Sequence, residues 1–169
     1  MSMNKILTLA TAVCSLTSIN SFADDNSWWR DADDYYKGWA DSSDSSFQAV
    51  VSSSGQQTES PFVGLRLVTS HKEYCSDKSE SFSGDLTMAV NDRKVTFKMS
   101  CYKNEWLNIR PVTEKANDYL LEQFNYYRNK NVRFVMTKSK GPDWVFNFPT
   151  KGFGKLYSSI KESVKDPIE

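Results

Sequence analysis

The chain contains one histidine and three cysteines, and each scarcity removes a class of chemistry. A serine or cysteine nucleophile would have only His71 to act as its base, and no G-x-S-x-G elbow presents a serine to it. In the string HKEYC the imidazole stands four residues before Cys75, a pairing that matters only if Cys75 is a free thiol. One His and two Cys cannot close a zinc site without carboxylates, and neither C-x-x-C nor H-E-x-x-H spacing occurs. The acidic run DDNSWWRDADD lacks the glycine and the twelfth-position glutamate of a calcium loop. No Walker-type glycine loop is present. These gaps lead to the expectation of no metal, no cofactor and no catalytic residue.

Long apolar runs are also missing. Beyond the N-terminus nothing approaches the roughly 20 residues that a membrane helix needs. Residues 1–23 read as a secretory leader. Lys5 supplies the positive charge, Ile6 to Leu16 a short apolar run, and Ser21-Phe22-Ala23 a small-x-small cleavage site. Cys14 follows Val13, where lipoprotein processing wants a small residue, so no stable membrane anchor is expected. The product is expected in the periplasm, with secretion as the alternative. Removal of the leader leaves two cysteines, Cys75 and Cys101, in an oxidising compartment, and a disulfide between them is the expectation.

Aspartate and aromatic residues, by contrast, crowd the start of the remaining chain. Residues 24–45 hold seven aspartates, three tryptophans and two tyrosines against Arg30 and Lys37. Residues 46–169 carry a small basic excess. Such an asymmetry has two readings: the head docks on its own domain, or it faces a partner of opposite charge. Trp28, Ala32, Tyr35 and Trp39 recur at spacings of four, three and four, which predicts a helix with a buried aromatic stripe, capped by Ser27. Trp29 and Tyr36 fall off that stripe. With Asp33 and Asp34 they are the candidate contacts for a protein partner. The chain therefore divides into a leader (1–23), an acidic aromatic helix and loop (24–45), and one α+β domain (46–169).

Within 46–169, FQAVVSS, FVGLRLVT, EWLNIRPV, NVRFVMTKS and WVFNF read as strands. In DLTMAVNDRKVTFKMSCYK, Asn91-Asp92 predicts a two-residue hairpin turn that sets Val90 against Arg93, Met88 against Val95 and Leu86 against Phe97. That register places every large apolar residue and Cys101 on one face. Thr113 predicts the cap of a middle helix with Ala116, Leu120, Phe124 and Tyr127 buried and a left-handed stop at Asn129 or Asn131. Phe153, Leu156, Tyr157, Ile160 and Val164 predict a C-terminal helix. The fold expected is α+β: a mostly antiparallel sheet of about five to seven strands, with N-terminal, middle and C-terminal helices and one disulfide.

Three functions compete. The first is an exported non-catalytic binding protein, an inhibitor, immunity or adaptor module for a protein of the envelope or extracellular space. Its support is the high aromatic content, since aromatics are enriched where interfaces bind tightly. The second is a hydrolase of envelope glycans using paired carboxylates, drawn from acids such as Asp31, Asp34, Glu105 and Glu122. The third is a small-anion or carboxylate binder at FPTKGFGK. There Lys151, Gly152, Gly154 and Lys155 stand where a strand passes into a helix, whose free N–H groups favour negative charge. Basic and aromatic residues interleave in NYYRNKNVRF, but the near-zero net charge argues against nucleic acid.

Overall fold

A computed structural model describes residues 27–30, 34, 36–53, 63–77, 82–138 and 141–165. The expected leader, Asp33, and the Ala32 and Tyr35 positions of the expected stripe lie outside the described residues. Eight strands are present among them: β1 (Lys37–Asp41), β2 (Gln48–Ser53), β3 (Val63–Ser70), β4 (Ser83–Val90), β5 (Arg93–Tyr102), β6 (Trp106–Pro111), β7 (Asn131–Met136) and β8 (Trp144–Pro149). They form one antiparallel sheet in the order β1-β2-β3-β6-β5-β4-β7-β8. A single helical turn, α1 (Lys72–Cys75), follows β3, and two full helices, α2 (Glu114–Asn125) and α3 (Phe153–Lys165), complete the α+β fold.

The expected N-terminal helix is not formed. Residues 37–41 are strand, and Trp29 bridges Trp39 through both backbone bonds, at 2.9 and 2.8 Å. Two local causes are visible. The Asp34 carboxylate accepts the Tyr36 N–H at 3.1 Å, a turn bond that competes with helix. Gly38 and Ala40 alternate with Lys37, Trp39 and Asp41, so small residues face inward where Leu156 of α3 lies. A period of two prevailed over one near 3.6.

The sheet curls until its ends meet, nearly closing a barrel. Trp28 joins the seam: its N–H donates to the Lys151 carbonyl at 2.9 Å and its indole Nε1–H to the Pro149 carbonyl at 2.8 Å. Ser43 N–H adds a bond to the Asn147 carbonyl at 2.8 Å. The described part of the aromatic head thus docks on its own domain. Barrel closure leaves few backbone groups unpaired at sheet edges, which otherwise invite aggregation.

The β4–β5 hairpin has the expected register, Val90↔Arg93, Met88↔Val95 and Leu86↔Phe97. Asn91 supplies the positive φ of the turn, at 49°. Cys101 faces the core and bonds Cys75 of α1, with 5.6 Å between Cα atoms. Thr113 caps α2 as expected, its hydroxyl accepting the Ala116 N–H at 3.1 Å. The helix stops earlier than expected, and Tyr127 is 79% exposed rather than buried. Its end has no left-handed residue at Asn129 or Asn131. Instead the Asn129 side-chain amide donates to the Gln123 carbonyl at 2.9 Å, satisfying one of the last helical carbonyls.

Phenylalanine builds the core. Phe47, Phe97, Phe124, Phe134, Phe146, Phe148 and Phe153 are fully buried, and Trp28 packs edge-on against Phe124 and Phe153. Most of the aromatic surplus is therefore interior packing. Among the described residues the exposed aromatic side chains are tyrosines and a tryptophan, which carry a polar group to water.

Candidate functional site: a cationic fork in the sheet

Strand β3 starts at Val63 and β6 ends at Pro111, yet their ladder covers only Leu67↔Ile109 to Ser70↔Trp106. Beyond Leu67 the two strands part. The N–H of Leu65 and the carbonyl of Val63, which a neighbouring strand would satisfy, bond instead to the side chain of Asn117 on α2. A cleft of about 1310 Å³ opens at this fork. Strands β2, β3, β5 and β6 contribute Ser53, Arg66, Lys98, Asn108 and Arg110 to it, and the helices contribute Glu114, Asp118, Tyr157 and Lys161.

Charge on the sheet side of the cleft is of one sign. Arg110 stands directly opposite Lys98 in the β5–β6 register, and Arg66 is the first residue of β3 past the last pair with β6. Lys98 and Arg110 thus stand in opposed positions, with Arg66 just past the fork, although like charges in opposed positions destabilise a sheet. Lys98 is compensated by Asp85 at 2.8 Å. Among the described residues, neither Arg66 nor Arg110 has a carboxylate within ion-pair distance. Arg66 is half-buried, and burial lowers its pKa from the ordinary guanidinium value. A desolvated cation without a counter-charge is an anion-seeking group. Two polar atoms of the cleft, Ser53 Oγ and Asn108 Oδ1, are buried without a hydrogen-bond partner among the described residues.

The helix side carries both signs, with Glu114 and Asp118 on α2 and Lys161 on α3. Glu114 and Asp118 are one turn apart on α2, which places both on the same helix face. Tyr157 of α3 has its pKa raised, first by burial and then by the charge of Asp118. The cleft is thus lined by Arg66, Lys98 and Arg110 from the sheet and by Glu114, Asp118 and Lys161 from the helices.

The chain matches no family model, no curated protein and no solved structure.

The positions singled out in the sequence scatter. Trp29 stacks on Trp39 with ring centroids 5.2 Å apart, and Trp39 is in register through Val50 with Arg66. Neither Trp29 nor Trp39 is among the residues that line the cleft. Tyr36 is exposed at the start of β1, and Asp34 beside it pairs with Lys37 at 3.3 Å. At the 150–155 junction Gly152 has φ +85° and lies close to the Trp28 backbone, while Gly154 faces the Asn125 side chain. Both glycines have a packing role there, and Lys151 and Lys155 are exposed.

His71 caps α1, its Nδ1 accepting the Tyr74 N–H at 3.3 Å. Ser52 and Ser53 stand at the opposite end of β3 from His71, about 25 Å away along the strand. Glu105 pairs with Lys72 at 3.3 Å near the β5–β6 turn, and Glu122 is exposed on α2. Arg66, Arg110, Glu114, Asp118 and Asn117 were not singled out in the sequence. The available signal was the period-two run Leu65-Arg66-Leu67 beside Ile109-Arg110-Pro111, which sets two arginines on the face away from the core. Their adjacency depends on the pairing of β3 with β6, two strands far apart in the chain.

Proposed function

We propose that this chain is an exported, non-catalytic binding protein of the periplasm or extracellular space that holds a negatively charged ligand at the β3–β6 fork. One observation carries the reading: Arg66 and Arg110 both line the cleft with no counter-ion among the described residues. Guanidinium groups suit planar, two-point recognition of carboxylate or phosphate. The Cys75–Cys101 disulfide fits an oxidising compartment, and among the described residues no helix is long and apolar enough to cross a membrane.

Calorimetric titration with citrate and inorganic phosphate at two salt concentrations tests it. Binding should weaken as salt rises. It should fall at least about tenfold in an Arg66→Gln, Arg110→Gln variant, because a charge-assisted hydrogen bond contributes about 1.5–3 kcal/mol. Absence of binding, or binding indifferent to both arginines, refutes the reading. Binding lost instead on replacing Lys151 and Lys155 by glutamine would move the anion site to the 150–155 junction.

A second reading, hydrolysis of an envelope glycan, is favoured by one specific pair: Glu114 and Asp118 share a cleft and a helix face. Paired carboxylates about 5 Å or 6.5–9.5 Å apart are the requirement of glycoside cleavage. Loss of turnover on peptidoglycan fragments in Glu114→Gln or Asp118→Asn, with the fold intact, would establish it.

A further inference from the structure

The cationic fork is one end of a longer surface. Along β6, Trp106, Asn108 and Arg110 share the face turned away from the core. Tyr102, Ser100 and Lys98 do so on β5, and Ser70, Val68 and Arg66 on β3. The register sets Tyr102 opposite Trp106 and Ser100 opposite Asn108. Trp106 is 37% and Tyr102 54% exposed. The aromatic and cationic ends lie four positions apart along β6, about 13 Å. Between them lie the neutral hydroxyl of Ser100 and the amide of Asn108, whose Oδ1 is itself buried and has no donor among the described residues.

We infer that this face binds an acidic oligosaccharide, with sugar rings on Trp106 and Tyr102, hydroxyl groups over Ser100 and Asn108, and carboxylates at Arg110 and Arg66. The inference rests on the anion-site reading of the fork and adds the class of ligand. Its basis is the order of chemistry along the strands. Aromatic faces offer apolar area with a polar margin, as ring stacking on a hydroxyl-rich ligand requires. Neutral donors and acceptors follow; Lys103 lies over the Tyr102 ring at 5.2 Å and Lys72 pairs with Glu105 at the aromatic end, while the two guanidinium groups without a carboxylate stand at the other. A single-stranded nucleic acid would stack on the same rings, but it carries a phosphate at every residue and would lay uncompensated charge over Ser100 and Asn108.

The experiment uses the processed full-length protein, with tetragalacturonate, its neutral methyl ester and citrate as probes in calorimetry. Tetragalacturonate should bind, and its ester should bind at least about tenfold more weakly. Trp106→Ala should weaken tetragalacturonate at least about tenfold while citrate affinity stays unchanged, and Trp106→Phe should restore most of the loss. Circular dichroism confirms the fold of each variant, and Tyr102→Ala replaces Trp106→Ala should the latter unfold. If Trp106→Ala leaves tetragalacturonate affinity unchanged while Arg110→Gln abolishes it, the saccharide inference is overturned and the anion site stands. Binding of neither citrate nor tetragalacturonate overturns both. An oligonucleotide of equal charge that binds more tightly, with the same dependence on Trp106, overturns the saccharide in favour of nucleic acid.

Discussion

Asn117 stands in for a missing strand beside Leu65. Its side-chain oxygen accepts the Leu65 N–H at 2.9 Å, and its amide nitrogen donates to the Val63 carbonyl at 3.0 Å. One side chain thus satisfies the two backbone groups that β6 abandons where the sheet forks, and the cleft exists because a helix, not a strand, closes that stretch of β3.

Replacing Asn117 by alanine leaves a buried donor and an acceptor unpaired, each costing about 1–3 kcal/mol. Asn117→Ala should therefore destabilise the protein by roughly 2–4 kcal/mol in urea unfolding. Asn117→Asp keeps the acceptor and sets an anion against the Val63 carbonyl, so it should also destabilise. A change below about 0.5 kcal/mol for the alanine variant would mean that the fork has another source of hydrogen bonds.

The Cys75–Cys101 bond ties α1 to the β5–β6 hairpin across 26 residues of sequence. On the chain-entropy account a loop of that size contributes about 3.5 kcal/mol, whatever its enthalpic share. A Cys75→Ser, Cys101→Ser variant should unfold at lower temperature by the corresponding amount. Wild-type protein unfolded in denaturant should expose no reactive thiol from this pair until a reductant is added. Both measurements are made on oxidised protein.

Local signals and long-range consequences separate cleanly in this chain. The Asn91-Asp92 hairpin, the Thr113 cap and the spacing of Phe153, Leu156 and Ile160 were legible because each depends on residues within a few positions of one another. The first strand was not. Trp28 to Trp39 satisfies a helical period as well as Gly38 and Ala40 satisfy an alternating one. What decides between them is the contact of Gly38 with Leu156 and of Trp28 with Pro149, more than a hundred residues away. The fork was hidden for the same reason. Arg66 and Arg110 become neighbours only when β3 skips β4 and β5 to pair with β6.

Two glycines report on how the N-terminal segment is seated. At Gly38 an added methyl group would run into the Leu156 side chain, so Gly38→Ala should displace α3 or the side chain. Overpacking of that kind costs about 1–3 kcal/mol. At Gly152, φ is +85° and a Cβ would lie 3.3 Å from the Trp28 carbonyl oxygen. Gly152→Ala should cost at least about 1–2 kcal/mol from the left-handed backbone alone. Thermal unfolding of both variants, with the intrinsic fluorescence of Trp28 followed through a Trp28-only background, should show lower midpoints. A Gly152→Ala protein as stable as wild type would show that this turn is free to change conformation and that Trp28 is not fixed by it.

Acid should weaken the β1–β2 connection through Asp44. Burial would raise this carboxyl group, but it is outweighed by the Ser42 and Ser46 hydroxyls, which donate to Oδ1 at 2.7 Å each, and by the Ser46 N–H at 3.2 Å. The net pKa is held below its ordinary 3.8. A folded value below the unfolded one means that the unfolded chain binds the proton more readily, so the stability contributed by the carboxylate is complete above the unfolded pKa and declines as pH falls through the folded one. The stability difference between wild type and Asp44→Ala should accordingly be constant from pH 8 to pH 5 and shrink below about pH 4. Asp44→Asn keeps an acceptor for the two hydroxyls but has no proton to gain, and its difference from Asp44→Ala should not narrow in that range. A wild-type advantage over Asp44→Ala that grows on acidification would reverse the sign and remove the Ser42–Asp44–Ser46 network as the cause.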